Sequence, residues 1–317
     1  MKKISVTIPV YNEEENIPLA YEAINKQLMS LEGYDYEMVF ADNGSQDKSR
    51  EVLREIAKKD HHVKVIFNQT NFGVERSQTN LFKRATGDAI IAIPCDLQEP
   101  PELIPDFVKE WENGNDIVWG QKTSSRENPI KYLCRKIYYG IINSMADFRQ
   151  FHQTTGFGLI SREVRDIIIM QKEQDSDLSI RNIVGEYGFT VKLLPYEQQK
   201  RKFGKSSYNL YRYYSFALSS FCSTSIKPLR IMTAVGFLSA LGCFVVAVVY
   251  LVYKLTHWYT FDAGMAPLVI GLFFCAAVQL LCMGIMGEYI AIILRRVTKK
   301  PNVIEKEALN FDEEVDK

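Results

Sequence analysis

Two long uncharged stretches near the carboxyl terminus constrain the fold most strongly. Residues 231–253 and 263–287 contain no Asp, Glu, Lys or Arg. As a helix, each is long enough to cross a hydrocarbon core of about 30 Å, which needs roughly 20 residues. A helix in a soluble core keeps a polar face, whereas these stretches are apolar almost all round. We therefore predict two transmembrane helices.

The charges that flank these stretches predict their orientation. Lys227 and Arg230 precede the first stretch, and the loop between the two contains aromatic residues such as Trp258. Four basic residues follow the second stretch: Arg295, Arg296, Lys299 and Lys300. Cytoplasmic flanks carry an excess of Lys and Arg. We expect a multi-pass protein of the cell's inner (plasma) membrane, with both ends of the hairpin and all of the preceding chain in the cytoplasm.

The charge balance of the chain excludes one class of partner. The chain has 38 Lys and Arg against 38 Asp and Glu, so its formal net charge is zero. Nucleic-acid-binding domains usually carry a basic excess, so we expect no nucleic-acid partner. The 6 cysteines show no metal-binding spacing and are interpreted as reduced packing residues.

The first 120 residues alternate between strand-like and helix-like patterns. β-rich runs lie at residues 4–10, 37–41, 63–67, 89–94 and 116–120, and helix-like segments lie at residues 14–31, 47–59, 74–85 and 101–113. This alternation predicts an α/β fold, a Rossmann-like, mostly parallel sheet with helices on both faces. Such sheets bind ligands at the carboxyl ends of their strands.

Polar residues follow the predicted strands at those ends. They are Tyr11, Asn12 and Glu13, then the segment "ADNGS", then Asn71 and Gly73, and finally Asp96. No glycine-rich phosphate loop follows the first strand, so a bound nucleotide would hold its phosphates through a divalent cation. Asp96 and Gln98 are two hard oxygen donors that point the same way on an extended segment. The same pair also suits an ordinary loop with a solvated glutamine.

Several motifs in fixed order carry a family resemblance. They are "TIPVYNEEENI", "ADNGSQDKS", "NFG" followed by "ATGDAIIAI", "CDLQEPPELI", "QKRKFGKSSYNL", "SIKPLR" and "MGEYIAIILRRVTKKPNVI". The chain resembles the family 2 glycosyltransferases of the GT-A type. It is most similar to the membrane-anchored polyprenyl-phosphate glycosyltransferases, such as dolichol-phosphate mannose synthase and the bacterial undecaprenyl-phosphate glucosyl and aminoarabinosyl transferases.

The resemblance implies a set of donor-binding residues. Pro9, Tyr11 and Glu13 would line the nucleotide pocket, and Asp42 would accept hydrogen bonds from the base. Gly73 would either contact the nucleotide or only shape a turn. Asp96 would contact the nucleotide and, together with Gln98, bind Mg²⁺ or Mn²⁺ against the diphosphate.

Basic residues on the acceptor side would bind a lipid phosphate. The candidates are Lys122, Arg126, Arg201 and Lys205. A stripe of Tyr208, Tyr211, Tyr214, Leu218 and Phe221 predicts an amphipathic helix in the membrane interface. The basic cluster beside it would alternatively only attract anionic headgroups.

The chain departs from the family pattern at four positions. Pro94 stands where the family has an acid two residues before Asp96, and Asn43 replaces the second acid of the second-strand motif. Gly156 stands at the position of the proposed catalytic aspartate, within "QTTGFGL", and Gln198 replaces the first arginine of an RxxR pair.

The loss of that aspartate does not by itself abolish the expected reaction. A phosphate monoester has a second pKa near 6, so a polyprenyl phosphate is mostly a dianion at neutral pH and can attack without a protein base. Catalysis then requires stabilisation of the leaving diphosphate. We assign this role to Asp96 with its cation and to Arg201.

These observations predict four segments and one function. Residues 1–205 form the GT-A domain, 206–230 the interfacial segment, 231–296 the transmembrane hairpin and 297–317 a cytoplasmic tail with a mobile end. The expected activity is an inverting transfer of one sugar from a nucleotide diphosphate sugar, such as a UDP-sugar, to polyprenyl phosphate. The alternatives are another lipid or glycan acceptor, or a degenerate subunit that binds without catalysis. Two lone helices also suit a homo-oligomer.

Overall fold

A single eight-stranded sheet organises the amino-terminal part of the chain. The computed structural model describes residues 1–123, 151, 153–174, 178–199, 227–256, 265–297 and 303–311. The strands are β1 (Lys2–Val10), β2 (Tyr34–Asp42), β3 (Val63–Asn68), β4 (Ala89–Ala92), β5 (Ile117–Lys122), β6 (Thr154–Ser161), β7 (Val191–Tyr196) and β8 (Glu305–Leu309). All five predicted strands are therefore present, with three more that the pattern did not predict.

Helices alternate with these strands as predicted. They are α1 (Asn16–Met29), α2 (Ser49–Lys59), α3 (Val74–Arg84), α4 (Ile104–Glu112), α5 (Arg162–Gln174) and α6 (Ile180–Tyr187). A short 3-10 turn, Pro101–Leu103, leads into α4. The helix α3 begins directly after Gly73, whose φ of +87° lies in the left-handed region that glycine adopts without strain.

The strand order is β7-β5-β6-β4-β1-β2-β3-β8. The four central strands β4, β1, β2 and β3 are parallel, whereas β6 and β8 run antiparallel to their neighbours. The sheet is thus mostly parallel, and the carboxyl ends of its central strands meet at one edge.

Both faces of the sheet are covered by apolar side chains. On one face, Ile17, Ile24, Leu53 and Phe107 from α1, α2 and α4 pack against alternating residues of the strands. On the other face, Phe82 and residues of α5 and α6 form a second cluster with β5 and β6. Burial on both faces explains why the central strands appear in the sequence as continuous apolar runs.

One buried carboxylate ties the four central strands together at their amino ends. Glu37 of β2 is 1% exposed and accepts hydrogen bonds from the Ser5 hydroxyl at 2.6 Å and from the Thr86 N–H at 2.7 Å. It also pairs with Lys3 of β1 at 3.0 Å and Lys64 of β3 at 2.9 Å. Burial alone would raise the pKa of Glu37, but these hydrogen bonds and lysines lower it to about 2.

Residues 303–311 of the carboxyl-terminal segment are ordered against the sheet, in contrast to the mobile terminus predicted from residue 302 onward. Strand β8 pairs antiparallel with β3 and covers what would otherwise be an open sheet edge. Glu305 pairs with Arg84 at 2.6 Å, and the Asn310 side chain donates to the backbone oxygens of Ala57 at 2.7 Å and Val63 at 2.8 Å. Two of the acids that suggested a solvated tail, Glu305 and Glu307, instead pair with Arg84 of α3 and Arg54 of α2.

Two long helices form a second unit. They are α7 (Lys227–Thr256) and α8 (Met265–Val297), and they contact each other. Within the described helices, one segment, Gly271–Ala291, is long and apolar enough to cross a membrane, with a mean hydropathy of 1.7. In α7 the corresponding apolar stretch, Thr233–Val246, is shorter. The two predicted helices are present, and one of them has the dimensions of a span.

The Glu37 cluster predicts a specific dependence of stability on pH. Because the pKa of Glu37 is about 2 in the fold and about 4.3 when unfolded, its ionisation stabilises the protein above about pH 4.3 by about 3 kcal/mol. That contribution is lost as the pH falls from about 4.3 towards 2. Glu37→Gln should therefore lower the free energy of unfolding by roughly that amount at pH 7 and by much less at pH 2.5.

Urea unfolding of the detergent-purified protein, followed by tryptophan fluorescence, measures this difference. Glu55→Gln, which neutralises an exposed carboxylate on α2, is the matched control and should change little at either pH. A cost for Glu37→Gln that is the same at pH 7 and pH 2.5 would contradict the assigned role of its charge.

Candidate active site

The site lies where the central parallel strands end. Asp42 is the last residue of β2, and the loops that follow β1, β3 and β4 carry the predicted residues Tyr11, Glu13, Gly73 and Asp96. Because these strands are parallel neighbours, their loops share one edge of the sheet. The topology therefore brings the predicted donor-binding residues to the same side of the domain.

The first two loops hold each other through backbone hydrogen bonds. The Asn12 N–H donates to the Ser45 hydroxyl at 2.9 Å, and the Glu13 N–H donates to the Ser49 hydroxyl at 3.0 Å. In return, the Asn12 side-chain oxygen accepts from the Gln46 N–H at 2.9 Å. Asn12 adopts a φ of +54°, which asparagine tolerates better than most residues. Tyr11, just before it, is 37% exposed and free to meet a ligand.

Asp42 is fully buried and already engaged by the protein. One of its oxygens accepts from Arg50 Nε at 2.7 Å, and the Ser45 N–H approaches both carboxylate oxygens at 3.2 and 3.3 Å. Arg50 in turn donates to the backbone oxygen of Asn68 at 2.9 Å. Asp42 thus fixes the ends of β2 and β3, and its contact with a base stays a prediction.

Asn43, one of the departures from the family pattern, uses both the donor and the acceptor of its side-chain amide. Its side-chain nitrogen donates to Asn71 Oδ1 at 2.9 Å, while its oxygen accepts from the Phe72 N–H at 3.1 Å and from Asn68 Nδ2 at 3.2 Å. A carboxylate could accept but not donate. An amide is therefore the group that joins these two loops.

The segment around Asp96 is a turn and not the extended segment that we predicted. Leu97 has a φ of +54°, and the Gln98 N–H donates to Asp96 Oδ1 at 3.2 Å. The two side chains therefore do not project in the same way, as they would on a strand. Among the described residues, Asp96 Oδ2 and Gln98 Oε1 have no hydrogen-bond partner, and such hard oxygen donors suit Mg²⁺ or Mn²⁺.

The donor set for a cation is small within the described residues. In that part of the chain, no group of three or more His, Cys, Asp or Glu side chains could hold a metal ion. A divalent cation takes about six oxygen ligands, so Asp96 and Gln98 could supply only a minority of them. Asp96 and Gln98 therefore suit a cation whose remaining ligands include oxygen atoms of the substrate phosphates.

A buried glutamate beside this turn escaped the sequence prediction. Glu99 is 3% exposed and accepts hydrogen bonds from the Tyr196 hydroxyl at 3.3 Å and from Gln198 Nε2 at 3.4 Å. Burial, followed by the nearby Asp96 charge, raises the pKa of Glu99. The only feature of the sequence that could have pointed to Glu99 was its position directly after Gln98.

Gln198 connects this glutamate to a predicted acceptor residue. Its side-chain oxygen accepts a hydrogen bond from Lys122 Nζ, while its nitrogen donates to Glu99. The next residue, Gln199, donates its N–H to the Gln98 backbone oxygen at 2.9 Å. The structure thus brings Lys122 to the Asp96 turn. Arg126, Arg201, Lys205 and the interfacial stripe lie outside the described residues.

A cavity of about 140 Å³ borders the same edge of the sheet. Its lining includes the predicted residue Pro9 and the departures Pro94 and Gly156. Gly156 has a φ of +90°, and a Cβ atom there would meet no atom within 4 Å. The position where the family would place an aspartate therefore faces open space.

Comparison with known proteins identifies the family. Residues 5–168 match the model of glycosyl transferase family 2. The prophage bactoprenol glucosyl transferase homolog of Escherichia coli strain K12 is 30% identical over 308 residues, which cover 96% of this chain and 98% of that protein. The bactoprenol glucosyl transferase of Shigella phage SfII is 30% identical over 307 residues, with the same coverage of 96% and 98%.

The chain belongs to glycosyl transferase family 2 and is a glycosyltransferase with a GT-A-type α/β fold. Among solved structures, glucosyl-3-phosphoglycerate synthase from Mycobacterium tuberculosis, in complex with Mn²⁺, UDP and phosphoglyceric acid, aligns with a TM-score of 0.47 and 16% identity. That alignment covers 70% of this chain and 77% of the synthase. Its likeness is too distant to bear on the ligands of this chain.

The environment of Glu99 predicts an unusual response to neutralisation. Because burial raises its pKa, ionised Glu99 weakens the fold, and this penalty grows as the pH rises above the unfolded value of about 4.3. Glu99→Gln keeps the shape and removes the charge. It should therefore raise the free energy of unfolding at pH 8 more than at pH 4.5.

The comparison uses the same urea unfolding of purified protein at both pH values. Glu102→Gln changes an exposed glutamate in the adjacent 3-10 turn and serves as the control, with no pH-dependent gain. If Glu99→Gln instead lowers stability at pH 8, Glu99 is a stabilising anion and the interpretation of its burial is wrong.

Proposed function

We propose that this glycosyltransferase transfers one sugar from a UDP-sugar to a polyprenyl phosphate, with inversion at the anomeric carbon. The observation that carries the proposal is the similarity to bactoprenol glucosyl transferases along 96% of the chain, including the two long helices. Bactoprenol is a polyprenol, so the acceptor class follows from those relatives. The reaction would take place at the cytoplasmic face of the membrane.

The exposed side chains of the two helices support a membrane location. On α7, Phe237 and Phe244 are 68% and 66% exposed, and on α8, Phe273 and Leu280 are 67% and 69% exposed. Apolar surface of this extent needs lipid or protein to cover it. We infer that α7 spans the bilayer together with α8, as an inner-membrane hairpin whose basic flanks face the cytoplasm.

The reaction is a single displacement. An oxygen of the acceptor phosphate attacks the anomeric carbon and forms a new C–O bond, while the bond from that carbon to the diphosphate breaks and UDP leaves with the electron pair. One displacement inverts the configuration. No proton has to be removed from a dianionic phosphate, which explains why Gly156 can stand where a catalytic carboxylate is customary.

The residues of the Asp96 turn and Lys122 would organise this displacement. Asp96 and Gln98 would hold the divalent cation that, when bound, neutralises charge on the leaving diphosphate. Pro9, Tyr11, Glu13 and Asp42 border the space for the nucleotide. Lys122, braced by Gln198, would pair with the acceptor phosphate, and Arg126, Arg201 and Lys205 would complete that anion site.

The test is formation of a lipid-linked sugar. Purified protein in detergent, with Mn²⁺ or Mg²⁺, undecaprenyl phosphate and each of a panel of labelled UDP-sugars, should convert one donor into an organic-soluble product. Asp96→Ala should lower that rate by about 10²–10³-fold, because it removes stabilisation of the leaving group. Glu102→Ala, an exposed change nearby, should leave the rate unaltered.

Two outcomes would reject the proposal. The first is the absence of any lipid-linked product with every donor, which favours a binding subunit without catalysis. The second is a product whose rate is unchanged in Asp96→Ala, which would remove Asp96 from the reaction.

A further inference from the structure

The cavity of about 140 Å³ beside the Asp96 turn has a definite chemical character. Its walls are mostly apolar, with Phe82, Ile90, Trp119 and Ile180 among the lining side chains. Its size is close to that of cavities, about 150 Å³, in which proteins bind a six-membered apolar ring. Its lining includes Pro9 and Pro94, and Pro94 comes two residues before Asp96, which would bind the cation of the donor diphosphate.

Three of its polar groups are uncommitted within the described residues. Gln78 donates through Nε2 to the Thr7 hydroxyl at 2.8 Å, which leaves its side-chain oxygen as a free acceptor. Arg181, at the start of α6, makes no ion pair or hydrogen bond in the part of the chain that the structure describes. The Ser179 hydroxyl, which makes no capping hydrogen bond to α6, also lines the cavity. The cavity therefore offers the Gln78 oxygen, the Arg181 guanidinium and the Ser179 hydroxyl against mostly apolar walls.

Two further polar side chains of the lining already have a partner. The Thr155 hydroxyl lies 3.2 Å from the Tyr196 hydroxyl, and Glu75 pairs with the buried Lys172 at 3.0 Å. A plain hexose presents hydroxyl groups around its ring, and each one buried without a partner costs about 1–3 kcal/mol. This cavity suits a group with fewer polar atoms.

An acylamino group matches these features. It presents one N–H donor, one carbonyl acceptor and an apolar alkyl end. The carbonyl would accept from Arg181, the N–H would donate to the Gln78 oxygen, and the alkyl end would face the apolar wall. A Cβ atom at Gly156 would meet no atom of the described residues within 4 Å, which leaves room for such a substituent.

We propose that this cavity binds the acylamino substituent of the donor sugar, so that the enzyme prefers an N-acylated amino sugar to an unsubstituted hexose. The inference rests on the proposed function, because it assumes that a UDP-sugar is the donor. It concerns the choice of sugar and does not depend on the acceptor.

Calorimetry on the full-length protein in detergent with Mn²⁺ tests this preference. The probes are UDP, UDP-glucose, UDP-galactose and their two N-acetylated counterparts. At least one N-acetylated donor should bind about tenfold more tightly than its plain hexose, a discrimination typical of a filled apolar pocket with matched polar groups.

Two variants test whether the cavity is responsible for the preference for N-acylated donors. Arg181→Met removes the free donor and keeps the length of the side chain, while Ala92→Leu fills space from β4. Each should reduce the preference about tenfold and leave the affinity for UDP unchanged. Lys58→Met, on the exposed side of α2, is the charge-removal control and should alter neither quantity.

The possible results distinguish a failure of the proposed sugar preference from a failure of the proposed function. If the wild type binds plain hexose donors as tightly as acylated ones, or if both variants keep the full preference, the inference is wrong while the proposed function stands. A variant that loses UDP as well is misfolded at the site, and the other variant then decides. If UDP itself does not bind, the proposed function fails and the inference fails with it.

Discussion

The buried carboxylate of Glu37 is the constraint on which the sheet depends. Its partners come from β1, β3 and the residue segment before β4, so one ion cluster fixes four neighbouring strands at their amino ends. A buried carboxylate that lost these partners would be costly, which ties the strands to a single alignment. The carboxyl ends of the same strands then meet at one edge, and the loops of the active site are placed there as a consequence.

The loops at that edge depend on a second buried pair. Asp42 and Arg50 hold the ends of β2 and β3, and Asn43 joins the loops that follow them. The family departures at Asn43 and Gln198 therefore have structural reasons, since each uses both the donor and the acceptor of an amide. The departures at Pro94 and Gly156 share another feature, because both border the same cavity. These substitutions are more consistent with a site that binds particular chemical groups than with a site that has lost its function.

The sequence predicted the parts of the fold that local patterns encode. The central strands are continuous apolar runs, and the helices between them are amphipathic. The spacing of apolar residues along the sequence therefore identifies the strands and the helices. Strand β6 contains two glycines, β7 contains a proline and β8 begins with three consecutive charged residues, so none of the three has the usual composition of a strand. They are strands because distant partners provide their hydrogen bonds, which a local pattern does not show. The same holds for the tail, whose acids find Arg84 and Arg54 only in the folded chain.

The shared location of the candidate site residues was predictable, and their local geometry was less so. The motifs predicted roles for Asp42 and Asp96, which stay predictions, and parallel strands explain why the two residues lie at one edge. The turn at Leu97 was not foreseeable, because leucine rarely adopts a positive φ. Glu99 was missed because its partner Tyr196 lies 97 residues further along the chain. Its burial and its raised pKa both arise from that tertiary contact.

The central claim is that Asp96 supports nucleotide binding through a divalent cation shared with the diphosphate. Titration of the purified protein with UDP, with and without Mn²⁺, tests it directly in the wild type and in Asp96→Ala. We predict that Mn²⁺ tightens UDP binding at least about tenfold in the wild type and has little effect in the variant. UDP binding that is independent of Mn²⁺, or that keeps its full metal dependence without Asp96, would contradict it.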